Sequence, residues 1–141
     1  MRSSFLAVFS FTLLLATGHS AGAQTPTPPC HGTQQTKMVA ELLFGRNIGR
    51  TVGVSESEWA GFVAREMAPR FPDGLTITDA VGERRDPDTN SIAEEPSKHV
   101  EIVLPGNPDD EARLDAVVAA YKREFHQQSV GVIVRPACVS F

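Results

Sequence analysis

Apolar and polar positions alternate along this chain with two different periods, and each change of period marks an element boundary. Met38-Val39-Ala40-Glu41-Leu42-Leu43-Phe44 is apolar except at Glu41 and is closed by Gly45. Its length and flanks predict a central strand over 37–44 rather than a helix. Beyond a loop through Gly49 and Gly53, Trp59, Phe62, Val63 and Met67 recur at helical spacing. Ser55 precedes that stripe as a capping hydroxyl, Glu58 stands where a side chain reaches back to the cap amide, and Pro69 ends the helix. The period then returns to two. Leu75, Ile77 and Val81 alternate with Thr76, Thr78 and Ala80 in a half-buried strand that ends at Gly82. Glu83 to Lys98 is polar, holds Asp86-Pro87-Asp88 and Glu94-Glu95-Pro96, and reads as a long hairpin connection. In a third strand Val100, Ile102 and Leu104 alternate with His99, Glu101 and Val103, before Pro105-Gly106. Asn107-Pro108-Asp109-Asp110 then offers a capping side chain, a proline for the first helical position and acids for the positive end of the dipole. Leu114, Val117, Val118, Tyr121 and Phe125 are the buried stripe of that second helix, and a last strand runs from Val130 to Arg135.

The order is the ferredoxin-like β-α-β-β-α-β arrangement, an α+β sandwich with a four-stranded antiparallel-type sheet and two helices on one face. Its pivot is Pro69-Arg70-Phe71-Pro72-Asp73-Gly74-Leu75-Thr76, where a helix closes, the chain turns and a strand begins. Right-handed crossovers place the first and third strands at the centre, expected as parallel neighbours, with the fourth antiparallel beside the first.

The two ends of the chain set an address. Met1-Arg2 is a short basic start, Phe5 to Ala16 is mostly apolar, and Ala21-Gly22-Ala23 offers small residues for cleavage, which together read as a signal peptide over 1–23. Polar Thr17, His19 and Ser20 cut the run short of the roughly 20 apolar residues a membrane span needs. Residues 24–36 form a Pro/Thr-rich lead and 37–141 a single α+β domain. The protein is therefore expected to be exported, periplasmic or secreted, with no membrane association after cleavage.

In an oxidising compartment the two cysteines, Cys30 and Cys138, are expected to pair. A fourth strand lying antiparallel to the first, with Ile133 opposite Glu41, brings Cys138 within a few residues of Cys30, provided His31-Gly32-Thr33 curls back. Such a bridge is worth at most about 4–5 kcal/mol in the chain-entropy account. Thr27-Pro28-Pro29 ahead of Cys30 argues against lipid attachment, and the cysteines lack the close paired spacing of a metal site.

Thirteen Lys and Arg stand against seventeen Asp and Glu, for a net charge of −4. Loss of the leader, with Arg2, makes the balance more acidic. Only Arg84-Arg85 are adjacent basic residues, so nucleic acid is excluded as a partner. There is no Gly-rich phosphate loop, metal-ligand spacing or nucleophile elbow, and no cofactor is expected.

Strand alternation divides the side chains between two faces. Met38, Ala40, Leu42 and Phe44, with Leu75, Ile77, Val81, Val100, Ile102, Leu104, Val130, Val132 and Val134, form the apolar set expected to meet the helices. The other face carries Val39, Glu41 and Leu43 beside His99, Glu101 and Val103, flanked by Thr76 and Thr78 and by Ile133 and Arg135. Glu41 and Glu101 lie on neighbouring strands, where two close carboxylates would suit acid–base work with His99 as proton shuttle and Arg135 as anion anchor. The same residues equally suit an ordinary solvated sheet face. A third reading stacks Val39, Leu43, Val103 and Ile133 against a second copy in a homodimer.

A further group sits on the connections: Arg70 and Asp73 at the turn, Glu95 and Ser97 before the third strand, and Gln127 and Ser129 after the second helix. Arg70 could grip a carboxylate ligand or form an internal pair with Glu95. Ser97 has no histidine base nearby in sequence, and Tyr121, inside an apolar stripe, reads as a core residue with a satisfied hydroxyl.

Taken together, Glu41-Leu42-Leu43-Phe44-Gly45, the helix with Trp59, the Pro-Arg-Phe-Pro-Asp-Gly-Leu-Thr string, Glu95-Pro96-Ser97-Lys98 and Tyr121 to Val130 resemble a family of small exported bacterial proteins known as domain of unknown function 3574. The likeness spans Thr36 to Phe141 and departs from the family pattern at Arg84, where that pattern has tryptophan. The resemblance implies a fold and an address but no activity. Two functions stay open: a binding or interaction module outside the cytoplasm, and a small acid–base enzyme using the carboxylates of the open sheet face.

Overall fold

The computed structural model describes residues 29–49, 51–86 and 89–141. The expected signal peptide over 1–23 and residues 24–28 of the lead lie outside the described residues. A four-stranded sheet is built from β1 (Gln35–Gly45), β4 (Thr76–Arg85), β5 (Ile92–Leu104) and β6 (Gly131–Val139), in the order β4-β5-β1-β6. A small hairpin, β2 (Asn47–Ile48) with β3 (Thr51–Val52), follows β1. The helices are α1 (Glu56–Phe62), prolonged by a π-helical turn over Val63–Met67, and α2 (Asp110–Glu124). This is the ferredoxin-like α+β arrangement.

Helix α1 starts as its sequence predicts. The Ser55 side chain accepts from the Glu58 amide while the Glu58 carboxylate accepts from the Ser55 amide at 2.8 Å. Trp59, Phe62 and Met67 are buried. Phe62 and Met67 are five residues apart, and the π-turn, closed by Ala68 N–H to the Val63 carbonyl, brings that spacing onto one face. The start of α2 differs from expectation. Asn107 does not cap it with its side chain; instead the buried Asp110 carboxylate reaches back to accept from the amides of Gly106 and Asn107, both at 2.9 Å. Arg113 binds Asp110, donates to the Arg70 carbonyl at 2.9 Å and lies over the Phe71 ring. The Pro-Arg-Phe-Pro turn is thereby fastened to α2.

Between helices and sheet sits an aromatic core. The Phe44 ring lies 5.1 Å from Trp59 and 4.8 Å from Tyr121, the latter edge-on, and Phe62 and Phe125 complete the cluster. Burying each such ring contributes about 1.5–3 kcal/mol. Tyr121 is fully buried and donates to the Gly45 carbonyl at 2.8 Å, and burial pushes its hydroxyl pKa up, so it remains a proton donor.

Three expectations are corrected. First, β1 and β5 are antiparallel, not parallel. The helical crossover makes β1 and β4 parallel, and the hairpin reverses the chain, so β5 enters between them opposed to both. Second, Glu83 to Lys98 is not a long connection. β4 and β5 stay paired through Glu83↔Glu94 and Arg85↔Ile92, and only a short turn separates them. That end of the ribbon is mostly solvent-exposed, so no apolar alternation marks it. Third, Ala40, Leu42, Phe44, Val100, Ile102 and Leu104 meet the helices, but Met38, Ile77, Val81, Val132 and Val134 remain exposed. On the edge strands β4 and β6, which carry the last four of these, one flank of each side chain has no neighbour.

The register between β1 and β6 pairs Glu41 with Ile133, as expected, and Thr36 with Cys138. His31 to Gln34 make a turn, with Gly32 at φ 62°, that carries Cys30 back to Cys138. The disulfide forms across a Cα separation of 5.4 Å.

Candidate functional site

The open face is assembled by register. Glu41 on β1 stands directly opposite Glu101 on β5 and Ile133 on β6. Directly opposed residues on adjacent antiparallel strands have Cβ atoms roughly 5 Å apart, and diagonal neighbours are still within reach of long side chains. The diagonal neighbours His99 and Arg135 use that reach. Glu41 Oε2 lies 3.2 Å from His99 Nε2, and Glu41 Oε1 lies 2.9 Å from both Nε and Nη2 of Arg135. The Glu41 side chain is only 19% exposed, so its charge is met on both oxygens within a largely covered position. Glu101 is exposed, and its carboxylate makes no hydrogen bond or ion pair with any described residue. Of the apolar quartet expected to lie uncovered on this face, Leu43 and Ile133 are exposed, Val103 is half-buried and Val39 is buried.

Two cavities meet at Glu101, Val103 and Phe141. The larger, about 620 Å³, lies between the Asp73-Gly74-Leu75-Thr76 turn, Lys37, Leu104 and Pro105. The smaller, about 380 Å³, is lined by Val39, Arg135 and the Cys138 end of β6. Glu41 and His99 line neither. Lys37 and Asp73, like Glu101, have no partner among the described residues. Lys37 and Phe141 were not among the sequence candidates. Their signal was parity: Lys37 lies in phase with Glu41, and Phe141 in phase with Ile133 and Arg135.

A model of the family described as protein of unknown function (DUF3574) matches residues 39–141. The chain belongs to this family. Among solved structures, a phage SAM lyase in complex with S-methyl-5'-thioadenosine is similar in fold, with a TM-score of 0.57 and 15% identity over 83% of this chain and 97% of that one. A phage SAM lyase in the apo state gives 0.55 and 16% over 82% and 92%. CutA from Synechococcus elongatus PCC7942 gives 0.47 and 13% over 74% and 80%. A comparison with curated proteins returned no match.

In this DUF3574 chain the connection residues do not gather. Arg70 pairs with Glu66 at 2.8 Å and donates to the Glu66 carbonyl at 2.6 Å, so the expected Arg70–Glu95 pair does not form. Register explains it. The turn bearing Arg70 leads into Thr76, opposite Glu101, whereas Glu95 is opposite Gly82, six residues or about 20 Å further along the ribbon. Glu95 instead packs over Gly45, where an added Cβ would meet its Oε1 at 2.5 Å, and accepts from the Asn47 amide at 2.8 Å. Ser97 donates to the Glu95 carbonyl and Gln127 to the Asn47 carbonyl. These residues brace the β2–β3 hairpin. Asp73 and Ser129 are exposed.

A polar cluster on the helix side was missed altogether. Arg46 donates to the Val54 carbonyl from Nε at 2.9 Å and Nη2 at 2.7 Å and pairs with Glu56 at 2.5 Å, while Lys98 binds Asp79 and, at 2.8 Å, Glu56. Hydrogen bonding to Lys98 is the largest cause of the lowered pKa at both Glu56 and Asp79, and the same bonds raise that of Lys98. Arg46 continues the parity of Leu42 and Phe44, and Lys98 that of Val100 and Ile102. A cation in a core phase was therefore the available signal.

Proposed function

We propose that this DUF3574 protein is an exported binding module that takes its ligand on the open face of the sheet. One observation carries the reading: Glu101, an exposed carboxylate with no partner among the described residues, stands at the junction of two cavities beside a Glu41 whose own charge His99 and Arg135 already meet. A general base must be held within reach of the proton it takes, in a site that limits water. Glu41 and His99 are paired outside these cavities, which favours binding over turnover. Export is supported by the leader-like start and by the disulfide; no described helix is long and apolar enough to cross a membrane.

The test is a compound screen on the oxidised protein by thermal shift, repeated on Glu101→Gln, Val103→Glu and the remote control Glu83→Gln. Compounds protecting wild type and the control but neither open-face variant are the expected result. Protection indifferent to both open-face variants would refute it, as would a sedimenting dimer split by Val103→Glu, which would make the face a subunit interface. Appearance outside the cytoplasm of a chain beginning at Gln24 tests export.

A second reading rests on the Glu41↔Glu101 opposition, with His99 on Glu41, and on the fold shared with a SAM lyase. It predicts turnover of SAM that Glu101→Gln and Glu41→Gln each abolish. The binding reading predicts none.

A further inference from the structure

Resting on the binding reading, we infer that the larger cavity selects an organic cation with an apolar body. Its wall is chemically divided. Leu75, Val103, Leu104, Pro105 and Phe141 supply apolar surface, and Phe141, fully exposed at the rim, has a ring face open to a ligand. The charged groups are Glu101 and Asp73, two carboxylates without partners among the described residues, against the single half-buried Lys37. The local balance is acidic, and a cation entering it acquires counter-charges without displacing an existing ion pair. Position orders these groups. Glu101 sits opposite both Thr76 and Glu41. Asp73, three residues before Thr76, and Lys37, four residues before Glu41, both lie past it towards Pro105 on opposite flanks of β5, with Lys37 about 13 Å from the Glu101 level. The cation therefore has its seat at Glu101, the carboxylate farther from Lys37 along the strands, with Asp73 as a second counter-charge on the β4 flank of the cavity. Val103 and Leu104 lie beyond the seat towards Lys37, where the apolar body rests. A volume of about 620 Å³ is within the range of small-molecule sites, roughly 300–1,000 Å³. Arg135 does not counter the cation, because Glu41 holds its guanidinium.

Three probes of one shape separate charge from apolar contact: 4-phenylbutylamine, 4-phenylbutanol and 4-phenylbutyrate. Each is titrated into the oxidised, ¹⁵N-labelled protein, with amide shifts read at Gly74, Thr76, Glu101 and Val103. The amine is expected to bind at least about tenfold tighter than the alcohol, the worth of one charge-assisted hydrogen bond, and the butyrate weakest. Glu101→Gln should erase most of the amine's advantage and Asp73→Asn part of it, while Phe141→Ala weakens amine and alcohol alike. Equal binding of amine and butyrate, or an amine affinity unmoved by Glu101→Gln, overturns the inference. If no probe binds but compounds from the screen do, with sensitivity to Val103→Glu, the cation assignment falls and the binding face stands. If nothing binds at that face, both fall. The variants sit on an exposed rim, and unchanged spectra elsewhere verify their fold.

Discussion

On the helix side of the sheet, Arg46 and Lys98 occupy core-facing register positions and each is met by a carboxylate in contact, Glu56 for both and Asp79 for Lys98. On the open side, Glu41 is likewise met by His99 and Arg135, yet Glu101 directly across from it is not. The difference separates two uses of charge. A cation held against the core must be compensated by the fold itself, because an unpaired buried charge costs several kcal/mol. An exposed carboxylate has water for a partner and is under no such demand, so its lack of a protein partner leaves it available to a ligand.

That contrast can be broken in stages. The largest effect is expected from reducing Cys30–Cys138, which ties β6 to the start of β1 and so serves both faces. Loss of up to about 4–5 kcal/mol, read from urea melts with and without reductant, is expected from chain entropy. Next, Lys98→Ala should cost about 2 kcal/mol, since it removes a buried stem and its charge-assisted bonds while the exposed Glu56 and Asp79 carboxylates are rehydrated. The cluster also has a pH signature. Glu56 and Asp79 titrate below their ordinary 4.5 and 3.8 in the folded state, so their contribution is present above those values and disappears as the pH falls through the lowered ones. Lys98 is raised above 10.5, so its share holds through neutrality and is lost only in strong alkali. Melts of Lys98→Met should show a shallower fall of stability in acid than wild type. Smaller again is Glu41→Gln, expected to cost about 1 kcal/mol through weakened bonds to Arg135 and His99, with a His99 shift change visible by NMR. Glu101→Gln should be within about 0.5 kcal/mol of wild type. A loss near that of Lys98→Ala would show Glu101 to be a structural group, and the contrast would fail.

What could be read from sequence followed from what water does to each segment. The Ser55 cap, the Trp59 stripe and the Tyr121 stripe bury one side of a helix, and burial leaves its period in the residues. The offset that joins Glu41 to Ile133 was legible for the same reason, as was the placing of Glu41, His99, Glu101 and Arg135 on one face. The β4–β5 ribbon past Gly82 is mostly exposed, so nothing selects an apolar phase and its strands look like loop. Strand direction failed for another reason: it depends on counting reversals through the hairpin and not on any residue. Arg46 and Lys98 were hidden because polarity was read as exposure. Arg70 and Glu95 looked like partners because both flank the same strand pair, but register puts them at opposite ends of it.

The bridge between Cys30 and Cys138 also has a mechanical consequence. Residues 31–137, which hold all the described helices and nearly all of the sheet, lie inside the covalent loop that it closes. Tension applied to the chain on either side of the bridge runs through the sulfur–sulfur bond, and the strands between feel none of it. In a single-molecule pull on the oxidised protein the extension trace should pass this region without an unfolding step, whereas under reductant β1 and β6 should unzip from their Gln35–Val139 end and release the full contour length. A protein outside the cytoplasm, held at one end and dragged at the other, would keep its open sheet face intact under a load that would unravel the same fold without the bridge.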